Sequence, residues 1–326
     1  MFVDVQISTF FQQVVNGLSL GSVYALIAVG YSLVYSILSF SNFAHGGFLV
    51  VGGYICYGVI VGFEAGILGF QFSVPAIRSI WVAGAFGLAG AGAVAVFTER
   101  LAYRPIRERT SMTLYLLIAS MGISIAIENI FVIIVGGRFR ALPQDLLALP
   151  QGISNLLDVS STGIVTLGYG VTASTLDIFS FFAAVMFLAG LQLFLTRTRW
   201  GLAIRAAACD LRTAGLMGVN TARLIGIVFF VAGLLAAVGG IFLSIRYTLF
   251  PQLGAITIKA FVAAVIGGLG SLPGAVAGSF VLGLAEMLTA GFISSQMRDL
   301  VVYSLLVFML LFKPAGFFGK QISDKI

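Results

Sequence analysis

The sequence predicts an all-α fold: a polytopic transmembrane helical bundle of eight or nine spans, with one cytoplasmic loop that itself forms short helices. A single domain is expected over residues 1–326. Three observations predict this. Hydrophobic residues make up 60% of the chain and charged residues only 9%, where a soluble domain carries about 25% charged residues. The apolar runs are uniform rather than amphipathic. "IWVAGAFGLAGAGAVAVF" (Ile80–Phe97) and "LIGIVFFVAGLLAAVGGIFL" (Leu224–Leu243) reach the ~20 residues that cross a bilayer core. Finally, among 40 glycines, Gly17, Gly21 and Ala25 recur every fourth residue, as do Gly270, Gly274 and Gly278. That spacing lets membrane helices approach closely. A β-barrel would show alternating segments of about ten residues, and none is present.

Taken in order, the runs fall at 11–37, 46–63, 80–98, 113–136, 178–196, 223–246, 256–269, 275–293 and 298–313. Arg100, Arg104, Arg107 and Arg109 share one connection, and Arg197, Arg199, Arg205, Arg212 and Arg223 share another. Lys313, Lys320 and Lys325 lie at the tail. Basic residues gathered in selected loops mark the cytoplasmic side. This puts the C-terminus inside and an external loop at about 137–177, bearing Asp145, Asp158 and Asp177. Nine spans place the N-terminus outside. The run at 256–269 is short and the region 60–79 is rich in glycine, so eight spans is the alternative. The net charge is +6, but most of the basic residues are gathered in these loops, a distribution that argues against nucleic acid as a partner. Cys56 lies in an apolar run and Cys209 in a basic loop, so no disulfide is expected. The start "MFVDVQISTF" lacks the basic region of a cleavable signal peptide.

Polar residues inside apolar runs are the candidates for function. "SFSNFAHGG" interrupts two spans and holds the one histidine. Non-helical backbone at membrane depth needs protein or a water-filled cavity around it. Ser41 or Asn42 suits a helix N-cap, and Gly46 and Gly47 permit close packing. A helix starting here would aim its positive end at a polar gap, an arrangement that receives anionic groups. Ser41, Asn42, Phe43 and His45 then line a path; the other reading is a short cytoplasmic turn whose His faces water. Glu128 is read as a structural carboxylate, and Glu286 is left open between path and structure. Arg246 and Lys259, flanking an external turn "YTLFPQLGAITI", are expected to snorkel to the interface. No G-x-x-x-x-G-K-[ST] occurs, so the chain supplies no P-loop. "GGLGSLPG" puts Pro273 where a dinucleotide loop needs glycine. One His with two distant Cys excludes a usual zinc site, and no G-x-S-x-G supports a hydrolase. No cofactor and no enzymatic activity are expected in this chain.

"RTRWGLAIRAAACDLRTAGLMGVNTARLIGIVFF" reads as a cytoplasmic arm at about 197–223. Short helices are expected over "GLAIRAAACD" and "LRTAGLMG", with Gly218 closing the second. Leu202, Ala206, Leu211, Ala214 and Met217 give it an apolar aspect suited to a partner's groove. The plainer alternative is an arginine anchor for the flanking spans.

Five stretches together carry a family likeness: "NGLSLGSVYALIAVGYSLVYSILSFSNFAHGG", "ERLAYRPIRERT", "RAAACDLRTAGLMGVNTARLI", "KAFVAAVIGGLGSLPGAVAGSFVLGLAE" and "LFKPAGFFG", spread over residues 16–319. In them the chain resembles permease subunits of branched-chain amino acid ABC importers, the LivH/LivM type, on the LivH-like branch. The resemblance implies a prokaryotic plasma-membrane transport subunit that works with a LivM-like second permease, two ATP-binding subunits and an external substrate-binding protein. ATP and Mg would sit on those partners. It implies that Arg205, Asp210, Ala214, Gly218 and Asn220 belong to an arm contacting the ATPase. It also carries Phe43–Gly46 and the turn Gly267–Gly274 onto the substrate pathway, so the candidate pathway set is Ser41, Asn42, Phe43, His45, Gly46, Gly267, Gly268, Gly270 and Glu286. Urea or short amides are the alternative substrates. A more distant alternative is an ion-coupled transporter or channel using Glu128, Glu286 or His45.

Overall fold

The computed structural model describes residues 2–67, 70–74, 76–77, 79–110, 112–142, 164–168 and 171–319. Asp145, Asp158, Lys320, Lys325 and most of the external loop expected at 137–177 lie outside the described residues. Twelve helices follow in order among the described residues: α1 (Phe2–Leu38), α2 (His45–Val61), α3 (Ile80–Thr98), α4 (Arg104–Arg109), α5 (Thr113–Val135), α6 (Thr175–Arg197), α7 (Arg199–Cys209), α8 (Leu211–Leu216), α9 (Thr221–Tyr247), α10 (Thr257–Gly267), α11 (Leu272–Phe292) and α12 (Arg298–Phe312). Seven stretches there are long and apolar enough to cross a membrane: α1, α3 running on into α4, α5, α6, α9, α11 and α12. The other two expected runs are also helical but shorter. They are α2 and the composite Pro251–Gly267. With 17 residues, α2 is about 26 Å long, slightly under a ~30 Å hydrocarbon core. The number of full crossings therefore rests on these two elements.

Small residues set the closest approaches. A Cβ on Gly21 would lie 3.0 Å from the Cα of Phe280, and one on Gly17 would lie 2.9 Å from the Cα of Leu284. The first glycine stripe thus seats α1 on α11. Gly52 of α2 meets Ala237 of α9 in the same way. The result is an inner layer of α1, α2 and α9, with Leu26, Ile27, Phe48, Leu49 and Phe229 all at 0% exposure. The outer helices differ sharply: the spanning window of α1 is 94% buried and that of α5 only 6%.

One end of the bundle gathers the arginine-rich connections. The Tyr103 ring meets Phe40 edge-on at 5.5 Å and Phe229 at a tilt at 5.4 Å, joining the segment after α1 to the first half of α9. Tyr103 reaches that spot through a π-helical segment, Glu99–Tyr103, in which the Arg104 N–H bonds to the Glu99 carbonyl. Pro105, in the first turn of α4, has no N–H to continue the α ladder, and the wider turn absorbs the break. The opposite end carries two antiparallel hairpins, β1–β2 (Phe63–Ile67, Phe70–Val74) and β3–β4 (Ile164–Gly168, Val171–Ser174). Neither hairpin was read from the sequence.

Two expectations are corrected here. The "YTLFPQLGAITI" stretch is not an external turn: Pro251–Ile256 forms a 3₁₀ segment with Pro251, Leu253 and Gly254 buried. Such backbone is tolerated because protein surrounds it. Arg246 and Lys259 do not snorkel. Arg246 pairs with Asp177 at 2.9 Å, and Lys259 pairs with Glu286 and Asp299 at 2.8 Å each.

Candidate functional site

The interruption after α1 is a built structure rather than a loose turn. Ser39 adopts φ +51°, turning the chain out of the helix. Asn42 is 1% exposed; its Oδ1 accepts the Ala44 N–H at 3.2 Å and the Tyr103 hydroxyl at 2.7 Å. The Phe43 N–H donates to Ser120 Oγ at 3.1 Å. Helix α2 then begins at His45 with Ala44 at its cap position and no side-chain cap. Ser41 is therefore not the cap, and Asn42 acts as an Asx turn feeding the helix. The N–H groups of His45 and Gly46 are also engaged, by the Asn42 and Phe43 carbonyls. Three N–H groups of the expected anion-receiving helix end, those of Ala44, His45 and Gly46, are thus engaged within the chain.

His45 does not face water. It is fully buried, with its ring 4.6 Å from Tyr31 and packed on Gly30, where a Cβ would come within 2.6 Å of its Cε1. Beside it, Gly46 crosses Gly254: a Cβ on Gly46 would lie 2.8 Å from the Gly254 carbonyl oxygen, and one on Gly254 would lie 2.9 Å from the Gly46 oxygen. Thr257 donates to that Gly254 carbonyl at 2.6 Å and receives the Tyr31 hydroxyl at 3.4 Å. Phe261 closes one side, 5.5 Å from Phe43 and 5.8 Å from Tyr31. Two discontinuities, 39–44 and 248–256, therefore meet at one point. Gly254 and Thr257 were missed in the sequence because "PQLGAIT" carries only turn signals.

The other candidate pathway residues sit elsewhere. Gly267 ends α10, and Gly268 and Gly270 form the turn into α11, with φ +106° at Gly268 and +83° at Gly270. Gly270 abuts Tyr35 and Ser36 of α1. Ser271 caps α11 by accepting the Gly274 N–H. The tail closes this joint: the N–H groups of Phe317 and Phe318 donate to the carbonyls of Ile266 and Gly267, both at 2.9 Å. Glu286 occupies a third place, its carboxylate held by Lys259 at 2.8 Å and the Tyr24 hydroxyl at 2.9 Å. The open question about Glu286 is thereby narrowed: both of its oxygens are in use. The three places are strung along α1 at Tyr24, Tyr31 and Ser36, about 10 Å and then about 7 Å apart at 1.5 Å per residue.

The arm has the two expected helices, α7 and α8, and each junction is capped. Thr198 accepts the Gly201 N–H, Asp210 accepts those of Arg212 and Thr213, and Asn220 accepts that of Arg223. The Thr213 hydroxyl also donates to Asp210. These bonds hold the Asp210 carboxyl below its ordinary value, the Thr213 hydroxyl contributing most. Gly218 has φ +90°, Arg205 donates to the Leu195 carbonyl at the end of α6, and Ala214 is buried. All five arm residues singled out from the sequence thus shape the arm itself. The most exposed of its large apolar side chains are Leu216 and Met217, 81% and 82% exposed, ahead of Leu202 and Trp200 on α7. Leu216 was not singled out, since its burial depends on which side of so short a helix meets the bundle.

Residues 13–310 match the family model described as branched-chain amino acid transport system / permease component. The high-affinity branched-chain amino acid transport system permease protein BraD of Pseudomonas aeruginosa is 37% identical, over 98% of this chain and 99% of its own length. LivH of Escherichia coli K12, with the same description, is 36% identical over 97% of this chain and 98% of its own. A probable branched-chain amino acid transport permease protein LivH of Methanocaldococcus jannaschii is 26% identical, over 90% and 88% respectively.

Proposed function

The chain belongs to the branched-chain amino acid transport system permease family, and on that premise we propose that it is a membrane-spanning subunit of an ATP-binding-cassette importer. Its cargo is branched-chain or closely related amino acids handed over by an extracytoplasmic binding protein. A LivM-like second permease and two ATP-binding subunits complete the assembly in the prokaryotic plasma membrane. ATP and Mg belong to the ATP-binding subunits, and the arm and C-terminus face the cytoplasm.

The arm is the observation that carries this reading. Leu216 and Met217 stand out on a short rigid hairpin, and burying such side chains in a partner's groove is worth about 1.5–3 kcal/mol each. The caps make the hairpin stiff, so a push on its tip passes into α9. That helix packs through Gly52–Ala237 against α2, whose first residues form the Gly46–Gly254 crossing. Motion driven by a partner's nucleotide cycle therefore reaches the crossing through packed backbone. Pathway roles for Ser41, Asn42, Phe43, His45 and Gly46 follow from their place there, and roles for Gly267, Gly268 and Gly270 from the turn beside Ser36. In this reading Glu286 supports the path rather than touching cargo.

Reconstitution in liposomes tests it. The four-component assembly is expected to accumulate leucine only with ATP and loaded binding protein, and the chain alone is expected to show neither ATPase activity nor uptake. Concentrative uptake by the chain alone overturns the reading.

A further inference from the structure

Glu128 is the one acid of the described spanning segments whose charge the chain leaves unmatched. Glu99 pairs with Arg107 at 3.2 Å, Asp177 with Arg246 at 2.9 Å and Glu286 with Lys259 at 2.8 Å. Glu128, about two turns before the end of the apolar helix α5, has only the Ser124 hydroxyl at 3.4 Å. A carboxylate at membrane depth is costly without a counter-charge. Neither the Ser124 bond nor the apolar side chains of α5 offset that cost.

Its direction is specific. Although α5 is the least buried span, Glu128 is half-buried and turns toward the bundle. Its Oε1 lies where a Cβ on Gly254 would be 3.2 Å away. Ser120, Ser124 and Glu128 share one face of α5 at successive four-residue steps, and Ser120 already binds the Phe43 N–H. This stripe runs from the head of α2 to the Gly46–Gly254 crossing. The surfaces beside it are apolar: Ile127 packs on Gly47, and Phe43 and Phe261 lie 5.5 Å apart.

We propose that Glu128 binds the α-ammonium of an amino acid as it passes the Gly46–Gly254 crossing, a role that rests on the reading of the chain as an importer permease. The zwitterion brings the missing cation, and its apolar side chain meets the apolar flank. Urea and short amides carry no cation and would gain nothing from this carboxylate, so the site selects against them.

The test uses the complete assembly in proteoliposomes and tritiated leucine, reading initial uptake per ATP hydrolysed, with the ATP-binding subunits that co-purify as the measure of assembly. Glu128→Gln keeps the shape and the Ser124 bond but loses the charge; its uptake per ATP is expected to fall about tenfold or more, as for loss of a charge-assisted bond. Glu128→Asp keeps the charge and is expected to retain at least about a third of the wild-type ratio. Wild-type transport by Glu128→Gln overturns the proposal. So does an equal loss in both variants, which would make the role one of shape, or loss of assembly in Glu128→Gln, which would assign the carboxylate to a subunit contact. If the wild-type assembly itself shows no ATP-driven uptake, the permease reading fails and the role of Glu128 falls with it.

Discussion

Lys259 donates to Glu286 across 2.8 Å in a pocket where the Glu286 side chain is only 4% exposed. The same ammonium reaches Asp299 at 2.8 Å, so one cation ties α10, α11 and α12 together while the Tyr24 hydroxyl fixes the second Glu286 oxygen from α1. A buried pair of this kind is weak evidence of net stability, but breaking it on one side strands a charge.

Lys259→Met is therefore expected to destabilise the purified protein by about 3–5 kcal/mol. Lys259→Met with Glu286→Leu should recover most of that loss. Thermal unfolding in detergent measures both, and a double variant as unstable as the single one would contradict the pairing.

The Gly46–Gly254 crossing leaves no room for a side chain. Gly46→Val should cost about 1–3 kcal/mol through overpacking, lowering the unfolding midpoint and the yield of folded protein. Gly122→Ala on α5, where nothing lies within 4 Å, serves as the control and should be near neutral. Equal effects at the two positions would rule out the close approach.

The arm's order is expected to depend on pH in one direction only. Hydrogen bonds from Thr213 and Arg212 lower the folded-state value of Asp210, so the cap's contribution is fully present above the ordinary carboxylate range near ~3.9. It is lost as the pH falls through the lower folded value. Amide-exchange protection at Arg212 and Thr213 should hold steady from neutral pH down to that range and then drop. Asp210→Asn, a good cap that does not titrate, should show no such step. Loss of protection already in mildly acidic buffer would contradict this.

Replacing Leu216 and Met217 with Ser removes the exposed apolar tip without disturbing any cap. The double variant should insert and unfold like the wild type, yet co-purify with about tenfold less ATP-binding subunit, as for loss of interface anchors. Undiminished co-purification and uptake would remove the tip from the coupling contact.

The arm was legible in the sequence because its signals are local. Gly218, expected to close the second helix, is the residue type that tolerates its φ of +90°, whereas the caps Thr198, Asp210 and Asn220 are identified as caps by the structure. The glycine stripe on α1 was legible for the same reason. The Gly46–Gly254 contact was not, since it joins segments far apart in the chain and "PQLGAIT" has the composition of an exposed turn. Nor was the pairing of the two acids. Glu128 looked structural and Glu286 open, and the structure gives Glu286 two partners and Glu128 only a long bond to Ser124. Nothing in their flanking residues separates them, because what distinguishes them is a lysine on another helix.

Because residues 317 and 318 supply N–H groups to the last two carbonyls of α10, that joint cannot close until both residues have been made and have reached it. Until then the Ile266 and Gly267 carbonyls lack these partners, whereas those of Ala264 and Val265 are already met by the Gly268 N–H. Completion of this corner is thus a late assembly step, and a chain halted before Phe317 would carry the seven membrane-competent stretches of the described residues but leave the corner unlocked.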